Sequence, residues 1–216
     1  MHLTDYPRPS VAVDVAVLTV HDETLKVLAV PHRLGRPALP GTFLHQGENL
    51  ADAATRALRD KAGVEGAAVH QLRMFDDPHR DDRGWVVSMA HGTTVPSDQI
   101  PQNAMLFACD GPEVKDLAFD HYDMTTLAVT DLRERYGRHP DPDHLLGESF
   151  TVLELRRLYE IVYDRALPKD SFRRQIIDTL DPTGALSATG SGRPAEMFRR
   201  RDGVELPRSA TALLVG

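Results

Sequence analysis

The chain has 216 residues, 41% hydrophobic and 26% charged, an ordinary globular composition with room for one large or two small domains. No apolar run approaches the ~20 residues that cross a bilayer, MHLTDYPRPS lacks the apolar centre of a signal peptide, and Cys109 alone excludes an intrachain disulfide, so a cytoplasmic setting is expected. Net charge is −7, but residues 1–144 hold 14 Lys and Arg against 22 Asp and Glu while residues 145–216 hold 11 against 10, so any nucleic-acid contact belongs in the tail.

Residues 1–10 carry Pro7 and Pro9 and read as an extended arm, either a frayed end or a strap across a partner. Residues 11–20 and 25–30 alternate apolar and other positions around a polar HDET turn, which predicts a β-hairpin. The loop PHRLGRPALP brings Arg33 and Arg36 ahead of the next segment, as phosphate binders or as solvated charges.

That segment is PGTFLHQGENLADAATRALRDKAGV, Pro40 to Val64. Leu50, Ala53, Ala54, Ala57 and Leu58 repeat at helical spacing, so a helix is predicted from about Asn49 to Gly63. Loop and helix together resemble the Nudix box, G-x5-E-x7-R-E-U-x-E-E-x-G-U, where U is a bulky aliphatic residue. Glu48, Arg56, Leu58 and Gly63-Val64 match it. Thr42 stands in place of its first glycine, Ala57 in place of the glutamate after the arginine, and Asp60-Lys61 in place of the glutamate pair. The resemblance implies a pyrophosphate-cleaving fold in which helix carboxylates hold Mg2+, a hard cation that takes several oxygen ligands. A methyl at 57 and an ammonium at 61 dismantle that site, so no metal and no catalytic residue are expected. Lys61 is left to pair with Glu48 or with a ligand phosphate. The ten histidines have no HxxxH or CxxC companion that would suggest zinc.

Further strands are predicted at 67–76, 84–94, 104–109 and 114–117. Between the first two, DDPHRDDRG is similar to a GDPxRDPRG-like stretch of one Nudix branch; it reads as a metal-binding loop or, more simply, a solvated connector. Trp85, the only tryptophan, is a candidate for stacking on adenine or for packing in the core. Asp120 is expected to cap a helix that Gly137 ends, and GRHPDPDHLLGE follows as a linker. The organisation expected is therefore α+β: an α/β/α sandwich over 1–137, a linker over 138–148 and a second domain over 149–216.

In the tail, Thr151-x-x-Glu154 is a capping box ahead of a helix reaching about Tyr163. Asp170 can cap a second helix, SFRRQIIDTL, with Phe172, Ile176, Ile177 and Leu180 inward and Arg173, Arg174 and Gln175 outward. A loop with Gly184, Gly190 and Gly192 then leads to RPAEMFRRR. Helix, turn, helix and glycine-rich hairpin is the order of a winged helix-turn-helix. Arginine reaches both base edges and phosphates, so Arg173 and Arg174 are candidate base readers. Lys169 and Ser171 suit phosphates at the helix start, and Arg193, Arg199 and Arg200 suit backbone or minor groove.

FTVLELRRLYEIVY, PKDSFRRQIID and SGRPAEMFRR, together with the degenerate box, resemble the Nudix-related transcriptional regulator (NrtR) family over nearly the whole chain. The resemblance implies a homodimeric repressor of NAD-biosynthesis genes on a palindromic double-stranded operator, with ADP-ribose as effector and no cofactor. Candidate ligand contacts are Arg33, Arg36, Glu48, Arg56, Lys61 and Trp85. Two alternatives stand beside it: an ADP-ribose pyrophosphatase with residual activity from Glu48 and Asp60, and a protein-docking adaptor.

Overall fold

The structure, a computed structural model, describes residues 2, 5–187 and 194–215. The chain divides into two compact units, Met1–Thr19 with Lys26–Val129 and Val20–Leu25 with Thr130–Gly216.

The first unit is built on a sheet of strands β1 (Ser10–His21), β2 (Thr24–Ala29), β3 (Gly41–Phe43), β4 (His70–Phe75), β5 (Val86–Thr94) and β6 (Met105–Ala108). The order is β4-β5-β1-β2-β6, with β3 also paired to β1. Asp22 and Glu23 both have positive φ, the backbone that a two-residue hairpin turn demands, and they join β1 to β2. β1 is buried from Ala12 to Thr19, as a central strand covered on both faces must be. Its neighbour β5 runs parallel to it, Ser10 opposite Val86 through Leu18 opposite Thr94.

Val13, Val15 and Val17 point to one face and meet Ala53, Ala54 and Leu58 in a single apolar cluster. These three come from helix α1 (Leu50–Ala57) and the turn after it. Asn49 caps α1 through a 2.9 Å bond from the Asp52 N–H to its Oδ1. The helix then widens into a π turn, Leu58–Ala62, before Gly63 stops it at φ +65°. Asp14, on the opposite face of β1, meets the first residue of helix α2 (His121–Tyr136).

Two expectations fail in this unit. Residues 114–117 form no strand; Glu113–Asp116 is a 3₁₀ turn in which the Lys115 N–H bonds the Pro112 carbonyl at 3.1 Å. Pro112 sets the φ of that turn, and Val114 supplies one buried anchor instead of an alternating face. Asp120 does stand at the start of α2, its carbonyl accepting from the Met124 N–H at 3.1 Å, but its carboxylate binds Arg80 with both oxygens instead of capping the helix.

In the second unit β7 (Phe150–Thr151) leads into α3 (Val152–Tyr163), then α4 (Lys169–Ile176), the hairpin β8 (Leu180–Leu186) and β9 (Glu196–Arg200), and α5 (Arg208–Val215). The capping box forms as read, with the Glu154 N–H on Thr151 Oγ1 and the Thr151 N–H on Glu154 Oε2. Pro168, not Asp170, stands at the start of α4, where the Phe172 N–H bonds the Pro168 carbonyl at 2.9 Å. Asp170 falls inside the first turn, where a carboxylate still faces the positive end of the helix. Gln175, expected outward, is half-buried and accepts from Ser209 on α5, a helix absent from the sequence reading.

Tyr159 sits at the centre of this unit, 5.6 Å from Tyr136 and 5.5 Å from Phe172 between ring centroids. Its hydroxyl lies 3.0 Å from the carbonyls of Tyr136 and His139 and shares one proton between them. The stretch read as a linker contains Asp141, which is fully buried although its φ is +46°. Asp141 accepts from the Tyr136 hydroxyl at 2.8 Å and from the N–H groups of Leu145 and Leu146 at 2.9 and 3.0 Å.

Candidate functional site

The first unit holds a cavity of about 180 Å³. β1 contributes Asp14, β3 contributes Gly41 to Phe43, the π turn contributes Lys61, and the 80–83 loop contributes Arg80, Asp81 and Arg83. His32, Phe119 and His121 complete the wall.

Asp14 is the anchor. Ser88 Oγ donates to it at 2.6 Å, His121 Nε2 lies at 3.4 Å and Arg80 at 3.7 Å. Burial alone would raise its carboxyl; the His121 ring, Ser88 and Arg80 outweigh burial and hold it below the ordinary value. The Leu39 N–H donates to His121 Nδ1 at 2.9 Å, which leaves the ring proton on Nε2, facing Asp14. Gly41 is required for space, since a Cβ there would collide with Asp14 Oδ1 and lie 2.9 Å from the Val13 carbonyl. Asp81 is gripped by Arg83 through Nε at 2.8 Å and Nη2 at 2.6 Å. Those bonds hold its carboxyl well below the usual range. Arg83 itself lies 4.9 Å over the Phe43 ring.

The residues singled out in the sequence are distributed otherwise. Only Lys61 lines this cavity, with its ammonium on the Gly41 carbonyl. Glu48 and Arg56 are spent on each other, Nε to Oε1 at 2.8 Å and Nη2 to Oε2 at 2.9 Å. Arg56 also bonds Thr42 Oγ1 and the Phe43 carbonyl, so the pair staples the loop to α1. Arg56, then the His45 N–H, pull the Glu48 carboxyl down to about 2. Arg36 clamps the carbonyls of Asp116 and Leu117 at 2.9 and 2.7 Å, and Arg33 pairs with Asp82. Trp85 is 48% exposed, so it does not pack in the core, and it lies outside the cavity wall. The 76–84 loop is exposed as a connector would be except at two residues: the Arg80 side chain is buried between Asp120 and Asp14, and Asp81 is buried beside it.

The Nudix fold implies a divalent cation, but the donors here do not fit one. Ala57 is a buried methyl, Asp60 is held by Arg59 at 2.8 Å, and Lys61 is a cation. Among the described residues no three His, Cys, Asp or Glu side chains group in a way that could hold a metal ion.

In the second unit Lys169, Arg173 and Arg174 on α4 and Arg199 on β9 are exposed, and Ser171 is half-buried. Arg200, expected on DNA, turns inward. It pairs with buried Asp141, donates to the carbonyls of Leu146 and Gly147 at 2.6 and 3.0 Å, and lies 5.0 Å over the Phe150 ring. Its guanidinium is thus committed to holding β9 against the 141–150 stretch and is withdrawn from any phosphate. Arg193, Gly190 and Gly192 lie outside the described residues.

The sequence matches the NUDIX domain over residues 10–139 and the NrtR DNA-binding winged helix domain over residues 142–200. An ADPR responsive transcriptional repressor NtrR from Acinetobacter baylyi is 30% identical over 211 residues, which cover 91% of this chain and 84% of the relative. The chain belongs to the NrtR family. Its fold is similar to Shewanella oneidensis NrtR crystallised with a 27mer DNA, at 28% identity and a TM-score of 0.74 over 93% of this chain and 95% of that one. The NUDIX domain of the same Shewanella protein, in complex with ADP ribose, matches at 27% identity and a TM-score of 0.53 over 61% and 94%. For an NrtR-family chain, the winged-helix order read from the tail and the Nudix order read from residues 40–64 are therefore both correct at the level of fold.

Proposed function

We propose that this chain is a DNA-binding transcriptional repressor of NAD-biosynthesis genes, controlled by ADP-ribose in a Nudix-type cleft that does not hydrolyse it. One observation carries the reading. A cleft walled by Lys61, in a helix whose two Nudix metal positions have become Ala57 and Lys61, is joined in one chain to a winged helix whose α4 leaves Arg173 and Arg174 without an acid partner among the described residues. The relatives named above, one a repressor and one bound to DNA and to ADP ribose, support it.

In this reading residues 1–137 sense the ligand and 149–216 bind DNA, with 138–148 built into the second unit through Asp141. Arg173 and Arg174 read bases, Lys169, Ser171 and Arg199 hold phosphates, and Arg193 belongs to the wing contact. Lys61, Arg80 and Arg83 face the ligand phosphates, and the exposed ring of Trp85 is the surface for its adenine. The repressor acts as a cytoplasmic homodimer on a palindrome; no helix of the described residues is long and apolar enough to cross a membrane. Half-sites one turn apart are separated by about 34–36 Å, so a small ligand-driven rotation of the subunits prevents both recognition helices from docking.

The test is a gel shift on the DNA upstream of the protein's own gene. The protein retards this DNA, and ADP-ribose abolishes the retarded band without releasing AMP when Mg2+ is present. Absence of retardation refutes the repressor; rapid AMP release favours the pyrophosphatase.

A further inference from the structure

We infer that Lys61 takes the place of the divalent cation ordinarily used by the Nudix fold, so that the cleft binds a phosphoanhydride without metal. This deepens the assignment of the cleft to ADP-ribose and rests on it.

Three side chains on the cavity wall carry a full positive charge: Lys61, Arg80 and Arg83. Arg80 is committed to Asp120 and Asp14, and Arg83 to Asp81. Lys61 has no acid partner among the described residues. Its one bond goes to the Gly41 carbonyl, and the adjacent Asp60 is turned to Arg59. An ammonium has three donors, so two remain for a ligand. Lys61 is therefore the one cation of the wall that no acid among the described residues holds. It stands at the helix position where the Nudix pattern places a glutamate.

In the ordinary arrangement a carboxylate attracts a cation and the cation attracts phosphate. Here the ammonium performs the second step directly, and the intervening ion becomes electrostatically unwelcome. The cavity supports this assignment by its size. At about 180 Å³ it is smaller than the ~300–1,000 Å³ of a site that engulfs a whole ligand. It suits the doubly phosphorylated centre of a nucleotide sugar, with the two ends reaching outward.

The test is isothermal titration of the full chain with ADP-ribose and, separately, with inorganic pyrophosphate, each in EDTA and in Mg2+. Wild-type affinity for ADP-ribose is expected to be the same in both buffers. Lys61→Met should weaken both ligands by about ten- to a hundredfold, the worth of a hydrogen bond to a charged group. Lys61 is exposed, so the variant should fold, and an unchanged circular dichroism spectrum verifies it. Binding that requires Mg2+, or a folded Lys61→Met that binds as wild type does, overturns the inference. Metal-free, Lys61-dependent binding of pyrophosphate without binding of ADP-ribose leaves the inference standing and removes the ADP-ribose assignment. If neither ligand binds, both fall.

Discussion

Replacing Asp141 with asparagine should unfold the DNA-binding half of the molecule before it touches any ligand contact. Asp141 is fully buried and faces the Arg200 guanidinium, whose side chain is 10% exposed. Its Oδ1 accepts from the Tyr136 hydroxyl and the Leu145 N–H, and its Oδ2 from the Leu146 N–H and Arg200. Asn keeps the shape and tolerates the positive φ of this position, so backbone strain is not added. It cannot keep the chemistry, because either orientation of the amide puts an NH2 opposite existing donors and leaves the guanidinium uncompensated. Breaking a buried pair in this way costs about 3–5 kcal/mol. In a unit of this size each kcal/mol moves the melting midpoint by about 4–8 °C, so a drop of more than ~12 °C is expected. Thermal unfolding of the whole chain by far-UV circular dichroism measures it. Adding Arg200→Met should recover part of the loss, since it removes the stranded charge. A single variant within about 1 kcal/mol of wild type, or a double variant showing the plain sum of two losses, refutes the reasoning.

Three further outcomes are expected. Arg173→Ala and Arg174→Ala should each abolish operator retention in a gel shift while ADP-ribose binding, followed by titration calorimetry, is unchanged; normal retention by both would show that α4 does not read the DNA. Gly41→Ala should cost about 1–3 kcal/mol in thermal unfolding and weaken ligand binding, because the new methyl displaces the Asp14 carboxylate. Burial holds His91 below its ordinary 6.5, against the bond to the Met89 carbonyl, so below pH 6.5 the unfolded chain takes a proton that the folded chain refuses. Stability contributed by His91 is therefore full above pH 6.5 and is lost as pH falls through the depressed folded value. His91→Phe should flatten the melting temperature between pH 6.5 and 5.

The elements with local signals were legible in the sequence. Asn49, the apolar period and Gly63 delimit the Nudix helix, and Thr151 with Glu154 starts α3, because each signal and its partner lie within a few residues. The cleft was not legible, because Asp14, Ser88, Arg80 and His121 meet only through the sheet register and the start of α2. The available hint was a lone carboxylate inside an otherwise apolar strand. Arg200 was misread although period-two alternation decides it: Phe198 and Arg200 share one face of β9, and Phe198 is buried. Read that way, RRR is one outward arginine followed by one inward arginine, with Arg201 then pairing with Asp181.

The parallel pairing of β1 with β5 has a consequence during synthesis. Ser10 must wait for Val86 to leave the ribosome, which at about 5–20 residues per second takes several seconds. Through that interval the nascent chain displays a valine-rich ribbon, greasy on both sides, with one border unmatched. Asp14 is its sole acidic group. The carboxylate that later organises the cleft thus interrupts, while the chain is still growing, the stretch most inclined to stick to another copy of itself.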